Sequence, residues 1–126
     1  MFEVPNIVMA APDVPTDEFG HLLDGMRQVA KRITLYACGG DWALSISEDW
    51  NAFPRAGTGG AQGILVSDKL ESIDVDSRWL STNHSYVFEA GKVLSDLKTL
   101  VLTDADAEAR GLNKRPKAPS HYWEIP

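Results

Sequence analysis

The sequence predicts an α/β fold with mainly parallel strands, on three observations. Short apolar runs occur at 6–11 and 33–38 and an alternating stretch at 70–75, apolar residues recur at helical spacing between and after them, and turn residues close each stretch. The first run, Asn6 to Ala11, is unbroken and apolar, which suits a strand covered on both faces as in a parallel sheet. It ends at Pro12-Asp13 and leaves Asp13 at its carboxyl end. Thr16 is expected to cap the next helix, with Asp17 and Glu18 favouring its positive end. Phe19, Leu22, Leu23, Met26, Val29 and Ala30 form its apolar stripe, and Lys31 and Arg32 suit its C-terminus.

Ile33 to Cys38 is β-branched and apolar, and Gly39-Gly40 permits a sharp turn before Asp41. Ala43, Leu44, Ile46 and Trp50 support a short helix from Trp42 to Trp50. The glycines and proline of 52–63 predict a surface excursion. Leu70 to Val75 reads as a third strand, with Ile73 and Val75 on one face and Ser72 and Asp74 on the other. From about Ala90 to Leu102, Val93, Leu94, Leu97, Leu100 and Val101 mark a helix packed on a sheet. Residues 105–110 extend it by a helical turn, and the segment 103–126 is read as a tail whose Tyr122 and Trp123 dock back on a single domain, 1–126.

The 126 residues suffice for one domain, and 44% hydrophobic with 24% charged residues is the composition of an ordinary globular protein. A net charge of −6 argues against nucleic-acid binding, which needs a concentrated basic face. Lys114-Arg115-Pro116-Lys117, the one basic cluster, is expected to be a solvated stretch of tail. The single Cys38 excludes an internal disulfide framework and a multi-cysteine zinc site. With no signal-like N-terminus and no long apolar run, the default expectation is a cytoplasmic chain without a membrane span, although a longer parent could be exported.

Several separated stretches then occur in a telling order: Asn6 to Asp13 ending in Ala-Ala-Pro-Asp, Ile33 to Leu44 reading T-L-Y-A-x-x-x-D-x-A-L, Arg55-Ala56-Gly57 and Ile73-Asp74, followed by His84-Ser85-Tyr86, Val93 to Leu97, Arg110 with Leu112, and Tyr122-Trp123. In these the chain resembles the C-terminal part of a largely uncharacterised group of bacterial α/β-hydrolases of esterase/lipase type. The resemblance implies a partial α/β-hydrolase fold in which the three strands are the sixth to eighth of the family sheet. It also implies that Asp41 is the acid and His84 the base of a Ser-acid-His triad. Gly39-Gly40, Trp42 and Asn83 depart from the residues usual beside them. No serine here stands in the G-x-S-x-G turn that carries the nucleophile, so the chain is expected to lack the N-terminal half and to be inactive alone.

The chemistry fits those residue types. A histidine titrates near neutrality and can take a serine proton and return it to a leaving group, while a carboxylate orients the imidazole and stabilises its charged form. Other readings stand beside this one. Asp41 also suits the cap of a helix starting at Trp42, and Asp13 is the competing acid, one strand earlier. His84 can be a loop histidine without a role, as His21 and His121 are expected to be. Cys38 has no basic neighbour to activate it as a substitute nucleophile. Gly59 to Gly63 spells G-x-A-x-G but follows a loop, and a metal site from Asp13, Asp41 and His84 lacks paired-histidine spacing. No cofactor or metal is expected. The expected partners are a small ester substrate in the parent enzyme and either the missing half or a second copy, joined through the Asn6 to Ala11 strand.

Overall fold

The computed structural model describes residues 3–38, 55–61, 63–75 and 83–126, and only the backbone of 83–90. In order, β1 (Val4–Ala10), α1 (Thr16–Val29), β2 (Ala30–Cys38), β3 (Glu71–Val75), α2 (Asn83–Thr103), β4 (Asn113–Lys117) and β5 (Ser120–Glu124) build one sheet of strand order β1-β2-β3-β5-β4. β1, β2, β3 and β5 are mutually parallel, and only β4 runs antiparallel, against β5. The architecture is the mixed, mostly parallel α/β arrangement that alternating strands and helices predict, with two strands more than the sequence reading supplied.

β2 is the spine. Ile33 to Ala37 is buried without a break, because β2 is paired on both edges and covered on both faces. Ile33 and Leu35 face α1 and pack with Phe19 and Leu23. Burying each such side chain contributes about 1.5–3 kcal/mol. The alternate residue Tyr36 faces α2, and with Ile73, Trp123, Val93 and Leu97 it forms a second core cluster. One helix therefore covers each face.

Several local expectations are corrected. Thr16 does not cap α1: Pro15 precedes the helix, Thr16 is its first residue, and no side-chain cap hydrogen bond forms. Lys31 and Arg32 belong to β2 and not to the helix end, because parallel pairing already begins where Ala30 lies opposite Val4. The 114–117 basic cluster lies within β4, an exposed edge strand whose ladder with β5 runs from Asn113 opposite Glu124 to Lys117 opposite Ser120. The helix expected at 42–50 lies outside the described residues.

The glycine-rich segment is also no free surface excursion where it is described. Residues 55–60 lace across the carboxyl ends of the strands, and Ala56 is wholly buried. The Ala56 and Gly57 amides donate to the Val14 and Pro12 carbonyls at 2.8 and 3.0 Å, and Cys38 is bonded on both sides, to Gly57 and Gly59, at 2.9 and 2.7 Å. The Gly60 amide then donates to Asp74 Oδ1 at 2.9 Å. This strap ties together the ends of β1, β2 and β3.

A buried polar network fixes α2. Asp96 accepts the Tyr36 hydroxyl proton at 2.6 Å and the Arg110 Nε–H at 2.9 Å. Arg110, whose side chain is fully buried, also reaches Glu71 at 3.3 Å and the Ala105 carbonyl at 2.7 Å. Burial works against the Arg110 charge, but the Asp96 hydrogen bond and the Asp96 and Glu71 charges outweigh it and raise its pKa. At the far end of α2, Asp104 accepts from Asn6 Nδ2 at 3.2 Å, and its carbonyl from Arg32 Nη1 at 2.8 Å.

Candidate active site

Ligands of open α/β sheets bind outside the carboxyl ends of the strands. Here that end is formed by Ala10 and the Ala11 to Asp13 turn, by Cys38, and by Val75, with the 55–60 strap running over them. Asn6 and Arg32 lie toward the opposite, amino ends of β1 and β2, so their bonds to Asp104 hold the last turn of α2 there. A helix rises about 1.5 Å per residue, and the 21 residues of α2 run back along the sheet from its carboxyl side. His84 is the second residue of that helix, in its first turn.

Of the expected triad pair, Asp41 lies outside the described residues, three positions beyond the end of β2, and of His84 only the backbone is described. The competing acid Asp13 stands at the carboxyl side of β1. Its side chain is 72% exposed and paired with Arg55 Nε at 3.5 Å. An acid that must orient a histidine needs a sheltered, directed carboxylate, and Asp13 is spread toward solvent and a guanidinium.

Cys38 ends β2 with a half-buried thiol. Burial first, and the Asp74 charge second, push its pKa above the ordinary thiol value, the opposite of what activates a nucleophile. At the G-x-A-x-G of 59–63, the Gly63 and Ile64 amides both donate to the Gly60 carbonyl, at 3.1 and 2.9 Å, and the described residues before it, 55–58, form part of the strap and no strand of the sheet. His21 is exposed on α1, and His121 lies edge-on to Trp123 at 5.4 Å. Among the described residues, no three His, Cys, Asp or Glu side chains group as a metal site.

The residues that sequence reasoning passed over are those that hold this end together. Asp74 receives the strap through Gly60, and Gly57 lets it pass: a Cβ there would lie 2.4 Å from the Ala11 carbonyl carbon. Both belonged to matched stretches, Ile73-Asp74 and Arg55-Ala56-Gly57, but no spacing rule links a strand acid to a loop amide 14 positions away.

A family model described as an alpha/beta hydrolase of unknown function (DUF900) matches residues 2–100. The chain belongs to that family. No curated protein and no solved structure gave a match. The hydrolase match takes in β1 to β3 and nearly all of α2, and with them Asp13, Asp41 and His84; the β4–β5 hairpin follows it. Among the described residues, no helix of this hydrolase-family chain is long and apolar enough to cross a membrane.

Proposed function

We propose that this chain is the C-terminal segment of a serine hydrolase of the carboxylic-ester type, with Asp41 as the triad acid and His84 as the base, and with the serine supplied by polypeptide adjoining β1. The observation that carries the reading is the shared end of the sheet. In the sequence Asp41 comes three residues after β2 ends and His84 is the second residue of the helix that follows β3, each past a strand's carboxyl end, where open α/β sheets take their ligands, and the strap stiffens that end of the sheet. Membership of the alpha/beta hydrolase family supports it further. In the reaction, His84 accepts the serine proton as the hydroxyl attacks the ester carbonyl and donates it to the leaving alcohol. Asp41 holds the ring and stabilises the imidazolium. Loss of the nucleophile in a comparable serine hydrolase costs about 10⁶ in kcat, so the isolated chain is inert.

The test is hydrolysis of a short p-nitrophenyl ester by the chain alone and by the chain co-expressed with a segment carrying G-x-S-x-G. The expected result is no turnover alone and, in the pair, a loss on the order of 10⁴-fold or more in His84→Ala and Asp41→Asn. His84-dependent turnover by the chain alone, or a pair indifferent to both substitutions, overturns the reading. A second reading, a non-catalytic module that associates through its sheet, is favoured by one observation: β1 forms an edge of the sheet, with β2 its only strand neighbour among the described residues.

A further inference from the structure

A mismatch in strand length opens a groove at the amino ends of β2 and β3, at the opposite end of the strands from the candidate active site. β2 begins at Ala30, whereas β3 begins at Glu71, which stands opposite Thr34. Ala30 to Ile33 are therefore paired to β1 on one side and, among the described residues, to no strand on the other. The turn at 67–70, where the Leu70 amide donates to the Ser67 carbonyl at 3.4 Å, forms one wall. The turn after α2 forms another, held by Glu71 Oε1, which accepts the Ala107 amide at 3.3 Å. The space left measures about 360 Å³, within the range of small-molecule sites. Ile33, Leu70, Ala107 and Trp123, all buried, give it an apolar floor.

The gap brings groups from both faces of the sheet to one place. Ile33 and Leu35 pack on α1, so by alternation Lys31 lies on the α1 face, and Arg27 of α1 donates to the Lys31 carbonyl at 3.1 Å. Lys114 stands opposite Trp123 on the face under α2, with its Nζ 6.0 Å from the centre of that ring. Backbone donors join them. The Tyr36 carbonyl faces β1, where it accepts the Ala11 amide at 2.7 Å. Backbone groups alternate along a strand, so the Lys31 and Ile33 amides face the other way, toward the gap.

The balance of charge selects an anion. The chain carries 12 Lys and Arg against 18 Asp and Glu, yet five of the former and four of the latter line the groove. Two of those acids are already engaged: Glu71 holds Arg32 and Arg110, and Asp106 accepts the Ala109 amide at 2.8 Å. The other two, Asp68 and Glu108, are exposed and free to turn to solvent. Of the cations, Arg32 and Lys69 have carboxylate partners, while Arg27, Lys31 and Lys114 form no ion pair among the described residues.

We infer that this groove binds a small organic phosphate, a phosphate monoester with an apolar body. A tetrahedral phosphate presents three terminal oxygens and meets donors arriving from both faces of the sheet, whereas a planar carboxylate serves donors in one plane. Arg27, Lys31 and Lys114 supply the charge, and the Lys31 and Ile33 amides add direction as charge-assisted hydrogen bonds. The apolar body lies on Leu70, Ala107 and Trp123. Because the groove and the candidate active site occupy opposite ends of the strands, binding here is independent of the hydrolase chemistry.

The test is nuclear magnetic resonance of the isotope-labelled full chain, titrated at constant ionic strength with phenyl phosphate, inorganic phosphate and benzoate, each to about 10 mM. Phenyl phosphate is expected to give saturable shifts of the Ile33 amide and the Trp123 indole N–H, with the other two anions about tenfold weaker or more. Lys31→Glu and Lys114→Glu change exposed positions and are expected to keep the melting temperature. Each is expected to weaken phenyl phosphate about tenfold or more, the weight of one hydrogen bond to a charged group. Lys98→Glu, exposed on α2 and outside the groove, makes the same change in net charge and is expected to leave binding unchanged. No saturable shift, benzoate binding as tightly as phenyl phosphate, or an equal loss in Lys98→Glu overturns the proposal. Inorganic phosphate binding as tightly as phenyl phosphate overturns the apolar body. Saturable shifts confined to residues 10–13 and 55–60 put the phosphate at the carboxyl ends of the strands and overturn the groove as its site.

Discussion

At the scale of single residues, the buried Tyr36–Asp96–Arg110 cluster decides how the chain responds to alkali. Burial above all, and then the hydrogen bond to Asp96, raise the Tyr36 pKa from its ordinary 10.0. The folded chain therefore keeps a proton that the unfolded chain releases as pH passes about 10. Stability depends on pH through the protons bound by each state, so this contribution is complete below pH 10 and declines as pH rises toward the folded value. Once the unfolded tyrosine is ionised, the loss approaches about 1.4 kcal/mol per pH unit. Urea melts at pH 8, 10 and 11 are expected to show this decline in the wild type and a clearly smaller one in Tyr36→Phe. An unchanged pH dependence in Tyr36→Phe would show that the hydroxyl is not its source. Tyr36, Asp96 and Arg110 each fall in a stretch that carries the family resemblance, but nothing in the sequence joined the three. Asp96 sits on the apolar stripe of α2 and Arg110 in a polar turn, and only the fold brings them within 2.9 Å.

At the scale of elements, β1, α1, β2, β3 and α2 were legible because each carries its own pattern: an unbroken apolar run for β1 and β2, two-residue alternation for β3, and a 3.6-residue stripe for the helices. The hairpin of β4 and β5 was not. Asn113 to Lys117 is polar because it is an exposed edge, and Tyr122 and Trp123 were readable as docking residues but not as a strand, since β5 owes its identity to pairing with β3. The strap at 55–60 was hidden for the same reason: glycine density signals a turn, whereas here Gly57 serves close passage over Ala11. A Cβ at 57 meets backbone atoms at 2.4 to 2.7 Å, which no side-chain rotation relieves. Gly57→Ala is therefore expected to destabilise by about 1–3 kcal/mol or more and to speed exchange of the Cys38 and Gly59 amides. A variant with wild-type stability and protection would mean that the strap is not a fixed part of the sheet end.

At the scale of the whole molecule, the order β1-β2-β3-β5-β4 makes the β4–β5 hairpin the guard of one edge of the sheet built by the described residues. β5 gives β3 its second neighbour through Ile73 opposite Trp123, and Trp123 joins Tyr36, Ile73 and Leu112 in the core under α2. Removing β4 and β5 would strip that cluster of its largest side chain and leave the β3 amides facing water. Loss of one buried tryptophan alone costs about 3–5 kcal/mol, a large share of the 5–15 kcal/mol that holds a typical domain. A chain ending at Leu112 is therefore expected to lose cooperative unfolding and to expose apolar surface, read by circular dichroism melts and by dye binding. Trp123→Ala in the full chain is expected to shift the melt downward while keeping it cooperative, because the backbone pairing of β5 remains. If the shortened chain melted as sharply as the full one, β1 to β3 with their two helices would be a self-sufficient unit and the hairpin an accessory to it. The opposite is expected: with β5 gone, β3 would be a five-residue strand paired on one side only, too little to hold α2 against the sheet.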